Sequence, residues 1–168
     1  AKILGNLVPR IIERTPNSYA YKFVEGELLS KVNDVQKFRD FLEFCKKKLW
    51  KKKKLTPKEK KEFREKTHKF YFNKTLMRLE KFYKETGIKD KPGFINGEKR
   101  GTLKSLLNKI DWASLSSGVP VLFHGDLQPE NILVTKDSFK LIDWRHDFEG
   151  LKEYGDIYYD LSKLYHAL

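Results

Sequence analysis

The chain has 168 residues, 39% hydrophobic, 14% aromatic and 35% charged, with a formal net charge of +12. This length suits one globular domain with a real core, and the apolar content excludes a disordered chain, which could not bury enough to offset its ordering entropy. No stretch approaches the roughly 20 apolar residues of a membrane span, AKILGNLVPR at the start lacks the build of a signal peptide, and the lone Cys45 cannot close an internal disulfide, so a soluble chain in a reducing cytoplasm is expected.

The charge is local. Residues 46–69 hold thirteen Lys or Arg against three Glu, a net +10, which leaves +2 for everything else. A solvated helical face is the plain expectation for such a run, and a patch for phosphate-rich partners is the alternative. Nucleic acid is disfavoured as a partner, because the run lacks the interleaved stacking aromatics and glycines of single-strand binders.

In chain order, LVPRIIER and SYAYKFVEG are rich in β-branched and aromatic residues, and the turn-prone TPNS separates them, so they read as two strands of one sheet. From the N-cap Asp34, Val35, Phe38, Leu42, Cys45 and Leu49 recur at three- and four-residue spacing, a helix with one face in the core. Thr56-Pro57-Lys58-Glu59 has the form of a capping box with proline at the first helical position. It predicts a second helix running to about Gly87 and carrying many of the lysines. Residues 87–100 contain three Gly and one Pro without periodicity and read as a loop. Thr102 can cap a short helix bearing Leu103, Leu106, Leu107 and Ile110, with ASLSSG as the next loop.

Then the pattern changes. VPVLFHGDL is a short apolar run, and ILVTKDSFKLIDW is two apolar runs joined by Lys136-Asp137-Ser138, a hairpin. Asp156 can cap a last helix with Ile157, Leu161, Leu164, Tyr165 and Leu168 on one side. No internal repeat and no linker between two full domains is visible.

His124-Gly125-Asp126, then Asn131, then the hairpin and Asp143 form an ordered acceptor set. Phosphoryl transfer asks little of a protein: one carboxylate to orient and deprotonate the attacking hydroxyl, and oxygen ligands for magnesium. Asp126 on a loop can be the first. Asn131 begins one strand of the hairpin and Asp143 follows the other, so pairing brings both side chains to one end of a ribbon, a candidate metal site.

HGDLQPEN at 124–131 with IDW at 142–144 follows the spacing of protein kinases, with HGD in place of HRD and IDW in place of DFG. In these departures the chain resembles the aminoglycoside phosphotransferase and choline kinase superfamily. The resemblance extends to GDIYYDL at 155–161, similar to the two Asp four apart that follow the metal Asp, and to FVEGELL at 23–29, similar to the hinge between lobes. It implies an ATP-dependent kinase acting on a hydroxyl of a small molecule, such as a sugar, a choline-like amine or an aminoglycoside, with Mg2+. In that reading Asp126 is the base, and Asn131 and Asp143 hold magnesium. Leu133 and Ile142 form the apolar floor beneath adenine, and the backbone of Lys22, Phe23 and Val24 meets its edge. His124 is implied to support the loop. Asp156 reads as an N-cap and loop support, while Asp160, one turn on, could face the cleft.

The implied fold is α+β, a kinase-like C-terminal lobe, mainly helical, with a small hairpin carrying the catalytic residues and two leading strands from the N-terminal lobe. Residues 1–26 are expected to be the remnant of that lobe and the hinge, and 27–168 a truncated catalytic lobe. No glycine-rich strand pair with its Lys–Glu partner is present, so the chain by itself is expected to be inactive and to associate through the apolar surface around Ile11, Phe23, Leu133 and Ile142, as an oligomer or with a missing lobe. The rival expectation is a non-catalytic basic module or scaffold of kinase-like fold.

Overall fold

A computed structural model describes residues 3–166. In chain order it contains strands β1 (Ile11–Arg14), β2 (Tyr19–Tyr21) and β3 (Glu27–Leu28), then helices α1 (Val35–Phe44), α2 (Pro57–His68) and α3 (Lys74–Thr86). There follow β4 (Gly93–Ile95), β5 (Glu98–Arg100), α4 (Leu103–Leu107) and α5 (Trp112–Leu115). The chain closes with β6 (Pro120–Val121), β7 (Ile132–Val134), β8 (Phe139–Leu141), β9 (Gly155–Asp156) and α6 (Ile157–His166). Two compact units result, one from residues 1–55 and 119–168 and one from 56–118.

In the first unit β1 and β2 pair antiparallel, Arg14 opposite Tyr19, as the turn TPNS implies. A three-stranded sheet in the order β3-β7-β8 holds the expected hairpin, with Ile132 opposite Leu141 and Leu28 opposite Leu133. A third, two-stranded sheet pairs β6 with β9, Val121 opposite Gly155.

Asp34 caps α1, its Oδ1 accepting from the backbone N–H of Gln36 at 2.7 Å and of Lys37 at 3.2 Å. The helix then widens into a π turn over Cys45–Leu49. Its buried row is Phe41, Cys45 and Leu49, all fully buried, whereas Val35 is 70% exposed. The apolar stripe expected to begin at Val35 therefore starts at Phe38, and Phe41 is its centre. Phe41 meets Phe139 of β8 edge-on at 5.2 Å, and Leu127, Ile132, Leu141 and Leu164 complete the core. Each such side chain contributes about 1.5–3 kcal/mol by leaving water.

In the second unit the capping box is formed. Thr56 Oγ1 accepts from the Glu59 N–H, and the Glu59 carboxylate accepts from the Thr56 N–H at 2.8 Å. The helical stretch runs to Gly87 as expected, but a π turn at Lys69–Asn73 divides it into α2 and α3. Residues 87–100 are more than a loop: β4 and β5 pair around Asn96 and Gly97, both at positive φ (52° and 80°), the mirror-image turn that Asn-Gly favours. Every residue of these strands is exposed, so no apolar alternation marked them. Thr102 caps α4 through the Ser105 N–H at 3.1 Å, and Asp90 accepts from Leu103 and Lys104, but Ile110 lies beyond the helix end. ASLSSG, expected as loop, begins within α5, which Asp111 caps through the Ser114 N–H at 2.9 Å.

The lysine run is divided as well. Lys46–Lys48 and the lysines of α2 lie on helical turns, but Lys51–Lys53 do not. There the backbone is extended and paired, with Lys52 opposite Val121, the Lys53 N–H donating to Pro120 O at 2.9 Å and the Leu122 N–H to Lys51 O at 3.0 Å. No helix among the described residues is long and apolar enough to cross a membrane. α6 is helical from Ile157 as expected, while Leu168 lies outside the described residues.

Candidate active site

β6 delivers the chain into His124-Gly125-Asp126. Gly125 has φ +84°, and a Cβ there would fall 2.5 Å from Arg145 Cβ and 2.8 Å from the Phe123 ring, so the loop can turn here only on glycine. The backbone N–H groups of His124 and Gly125 both donate to Asp160, at 2.9 Å to Oδ2 and 2.7 Å to Oδ1, and Trp50 Nε1 adds a third bond at 3.1 Å. Asp160 is fully buried. Burial pushes its carboxyl up to about 6, against the pull of those three donors. Asp160 thus lies beneath the loop as its anchor, not facing a cleft. Asp156 takes the capping and supporting role, its Oδ1 accepting from the Val119 N–H at 2.8 Å and the Tyr158 N–H at 3.3 Å.

His124 is a strut. Its Nδ1 accepts from the Asp126 N–H at 3.2 Å, which leaves the ring proton on Nε2, donated to the Ile142 carbonyl at 2.9 Å. Burial holds this imidazole down at about 4, so it is neutral near pH 7. It ties the loop to the end of β8.

Three groups hold the Asp126 side chain. Lys163 Nζ is 2.8 Å from Oδ1, and Gln128 Nε2 donates to the same oxygen at 3.2 Å. Oδ2 receives only a long contact, 3.4 Å, from Asn131 Nδ2, whose stronger bond goes to the Asp126 carbonyl at 2.8 Å. The Asn131 amide is therefore turned with its nitrogen toward the loop and its Oδ1 away from it. Lys163 belongs to no motif and was not legible as a site residue in the sequence, and Gln128, although inside HGDLQPEN, was assigned no role there.

Asp143 stands across the hairpin end, where the Ile142 N–H donates to Asn131 O at 3.0 Å. It is exposed and sits at φ +55°, a left-handed conformation that Asp tolerates at a cost. His124 Nε2 on the preceding carbonyl and the Arg145 N–H on His124 O at 2.8 Å pin the residues on either side. Among the described residues no group of three His, Cys, Asp or Glu is arranged for a metal. The Asn131 amide oxygen and the Asp143 carboxylate are two hard donors at one end of the ribbon, and they suit a magnesium ion that draws its remaining ligands from water and phosphate.

Leu133 and Ile142 are both half-buried, on the sheet face opposite the buried Ile132 and Leu141. Of the leading segment, Phe23 is 84% exposed and Val24 half-buried. The Lys22 N–H donates to Arg10 O at 2.8 Å just beyond the β1–β2 ladder, so the backbone of that residue has only its carbonyl to offer a ligand.

The sequence profile of the phosphotransferase enzyme family (APH) matches residues 18–168. No curated protein and no solved structure matches the chain significantly. Enzymes of this family generally use ATP and Mg2+, and their fold is kinase-like, which accords with the mixture of helices and small sheets seen here. Since the matched span covers most of the chain, including the HGDLQPEN loop, the hairpin and GDIYYD, the chain belongs to the phosphotransferase enzyme family, within the aminoglycoside phosphotransferase and choline kinase superfamily.

Proposed function

We propose that the protein transfers the terminal phosphoryl group of ATP to a hydroxyl of a small molecule, with Asp126 as the general base. The observation that carries this is the asymmetry of the Asp126 carboxylate. Lys163 and Gln128 occupy Oδ1, whereas Oδ2 has one long contact and is the oxygen placed to take a proton. In the step itself the acceptor oxygen bonds to the terminal phosphorus, the bond from that phosphorus to the oxygen bridging to ADP breaks, and the hydroxyl proton passes to Asp126 Oδ2.

In this reading Asn131 Oδ1 and the Asp143 carboxylate hold magnesium, which supplies charge neutralisation of the phosphates when bound. Leu133 and Ile142 give the adenine an apolar seat, and the backbone from Lys22 to Val24 borders it. Residues 27–168 act as the C-terminal catalytic lobe, and 1–26 as N-lobe strands and hinge. Asp160 and His124 position: the first fixes two backbone amides of the loop, the second fixes the loop to the hairpin.

The test is phosphate transfer by the full-length protein from γ-labelled ATP to a panel of sugars, aminoglycosides and amino alcohols, with wild type and Asp126→Asn compared. Transfer to one class of hydroxyl, lost in the variant, supports the reading. Magnesium-independent ATP binding without transfer to any acceptor would instead favour a scaffold of kinase-like fold.

A further inference from the structure

The side chain of Trp50 reaches the HGD loop through Asp160. Its Nε1–H donates to Asp160 Oδ2 at 3.1 Å, on the oxygen that also accepts from the His124 N–H at 2.9 Å, while Oδ1 accepts from the Gly125 N–H at 2.7 Å. The carboxylate is fully buried. Two of its three donors are backbone amides, so among the described residues the indole is the one side chain that hydrogen-bonds Asp160. The residue after Gly125 is Asp126, whose own N–H goes to His124 Nδ1 at 3.2 Å. The bonds therefore run from the indole, through the carboxylate, to the two amides immediately before the proposed base.

Trp50 is itself held on both sides. Its backbone N–H closes the π turn of Cys45–Leu49 on Cys45 O at 2.7 Å, and the next residue, Lys51, accepts from the Leu122 N–H at 3.0 Å, two residues before His124. The ring is half-buried against the core that contains Phe41 and Leu127. An indole fixed at its backbone and packed against the core has little freedom left to lose on making the bond.

Only the ionised form of Asp160 suits these neighbours, because a proton on either oxygen would point at another N–H hydrogen. Burial pushes the group up to about 6 and Asp156 adds to the rise, whereas the two amides and the indole pull it down. The other titratable groups near it are the Cys45 thiol of the π turn, which burial first and Asp160 second push well up, and the His124 imidazole, which burial holds down at about 4. Neither carries charge near neutrality, so the N–H donors are what keep Asp160 ionised.

We propose that Trp50 is a positioning residue for the base: its indole N–H keeps Asp160 as the acceptor that fixes the His124 and Gly125 amides, and so sets where Asp126 stands. The inference rests on the phosphotransfer reading above and adds to it a residue that lies in no motif of the sequence.

The experiment compares wild type with Trp50→Phe, which keeps an aromatic ring and removes the donor, in the full-length protein. The KM for ATP is expected to stay unchanged, while the acid limb of turnover moves up by about one pH unit, the scale of one hydrogen bond to a charged group. That is a loss of about fivefold at about pH 6 that nearly vanishes at about pH 8. A ring that merely filled space would lower turnover at every pH alike and leave the limb where it is. A second measurement needs no turnover. The assigned indole N–H resonance of Trp50 should shift as pH passes through about 6, and the shift should disappear in Asp160→Asn. Three outcomes overturn the proposal: acid limbs that coincide in wild type and Trp50→Phe, an indole resonance that titrates in Asp160→Asn as it does in wild type, or a raised KM for ATP with turnover intact. If Trp50→Phe does not fold, wild type decides: an indole midpoint equal to the acid limb of turnover supports the role, and a midpoint apart from it overturns the role. Failure of the phosphotransfer reading shows differently, as no product from wild type on any acceptor while the indole still follows Asp160.

Discussion

Lys163 of α6 holds its ammonium 2.8 Å from Oδ1 of Asp126, so the last helix presents one charge to the proposed base while Asp160, one turn earlier, anchors the backbone of the same loop. In the full-length protein Lys163→Met should lower turnover about tenfold to a hundredfold with little change in nucleotide affinity, because a small misplacement of a reacting group can cost about 10². Lys163→Arg should recover much of the loss. Steady-state kinetics on the three proteins make the check, and wild-type turnover in Lys163→Met rules the pair out as a positioning device.

Asp126→Asn keeps the shape of the side chain and removes its basicity. In the full-length protein turnover is expected to fall by about 10² to 10⁴, the usual worth of general-base help, with ATP binding nearly unchanged. A variant as fast as wild type means the proton goes elsewhere.

For the metal, the order of effects is the measurement. Asp143→Ala should abolish magnesium-dependent nucleotide binding, whereas Asn131→Ala should weaken it less, since a charged ligand contributes more than a neutral one. Equal and negligible effects in a magnesium titration reject the hairpin site.

His124 and Asp160 make opposite contributions to stability as pH changes. His124 titrates at about 4 in the fold, below its ordinary 6.5, so the unfolded chain binds more protons between those values and this residue's contribution grows as pH rises through the window. Asp160 titrates at about 6 rather than 3.8, so the folded chain binds more protons there and its contribution shrinks as pH rises. Each slope is at most about 1.4 kcal/mol per pH unit. Urea unfolding between pH 4 and 6.5 should show the gap between wild type and His124→Gln widening with pH, and the gap between wild type and Asp160→Asn narrowing. Gaps that run parallel refute the opposed pair.

Gly125→Ala is expected to destabilise the loop beyond the usual Gly-to-Ala effect, because the new methyl meets Arg145 Cβ at 2.5 Å with φ at +84°. Thermal melts with and without MgATP measure it. An unchanged melting temperature would show that Arg145 and the Phe123 ring can yield.

The sequence by itself determined much of this protein. Local rules suffice for caps and turns, so Asp34, Thr56, Thr102 and Lys136-Asp137-Ser138 announced their elements and the structure forms them. The order HGD, Asn131, Asp143 and GDIYYD carried the family, because phosphoryl transfer fixes a few oxygen donors at set spacings along the chain. Elements without an apolar rhythm were missed: the exposed β4–β5 hairpin left only its Asn96-Gly97 turn as a local mark, and the four residues of α5 bury too little to leave a pattern. The tertiary structure alone decided what distant residues do to one another. Asp160 became the loop's anchor because Trp50, His124 and Gly125 bring three N–H donors to one buried carboxylate. Lys51–Lys53 left the helical face for an extended, paired segment because their backbone found a partner at residues 120–122. Pairing across 70 residues depends on where the chain folds back, and no local spacing records it.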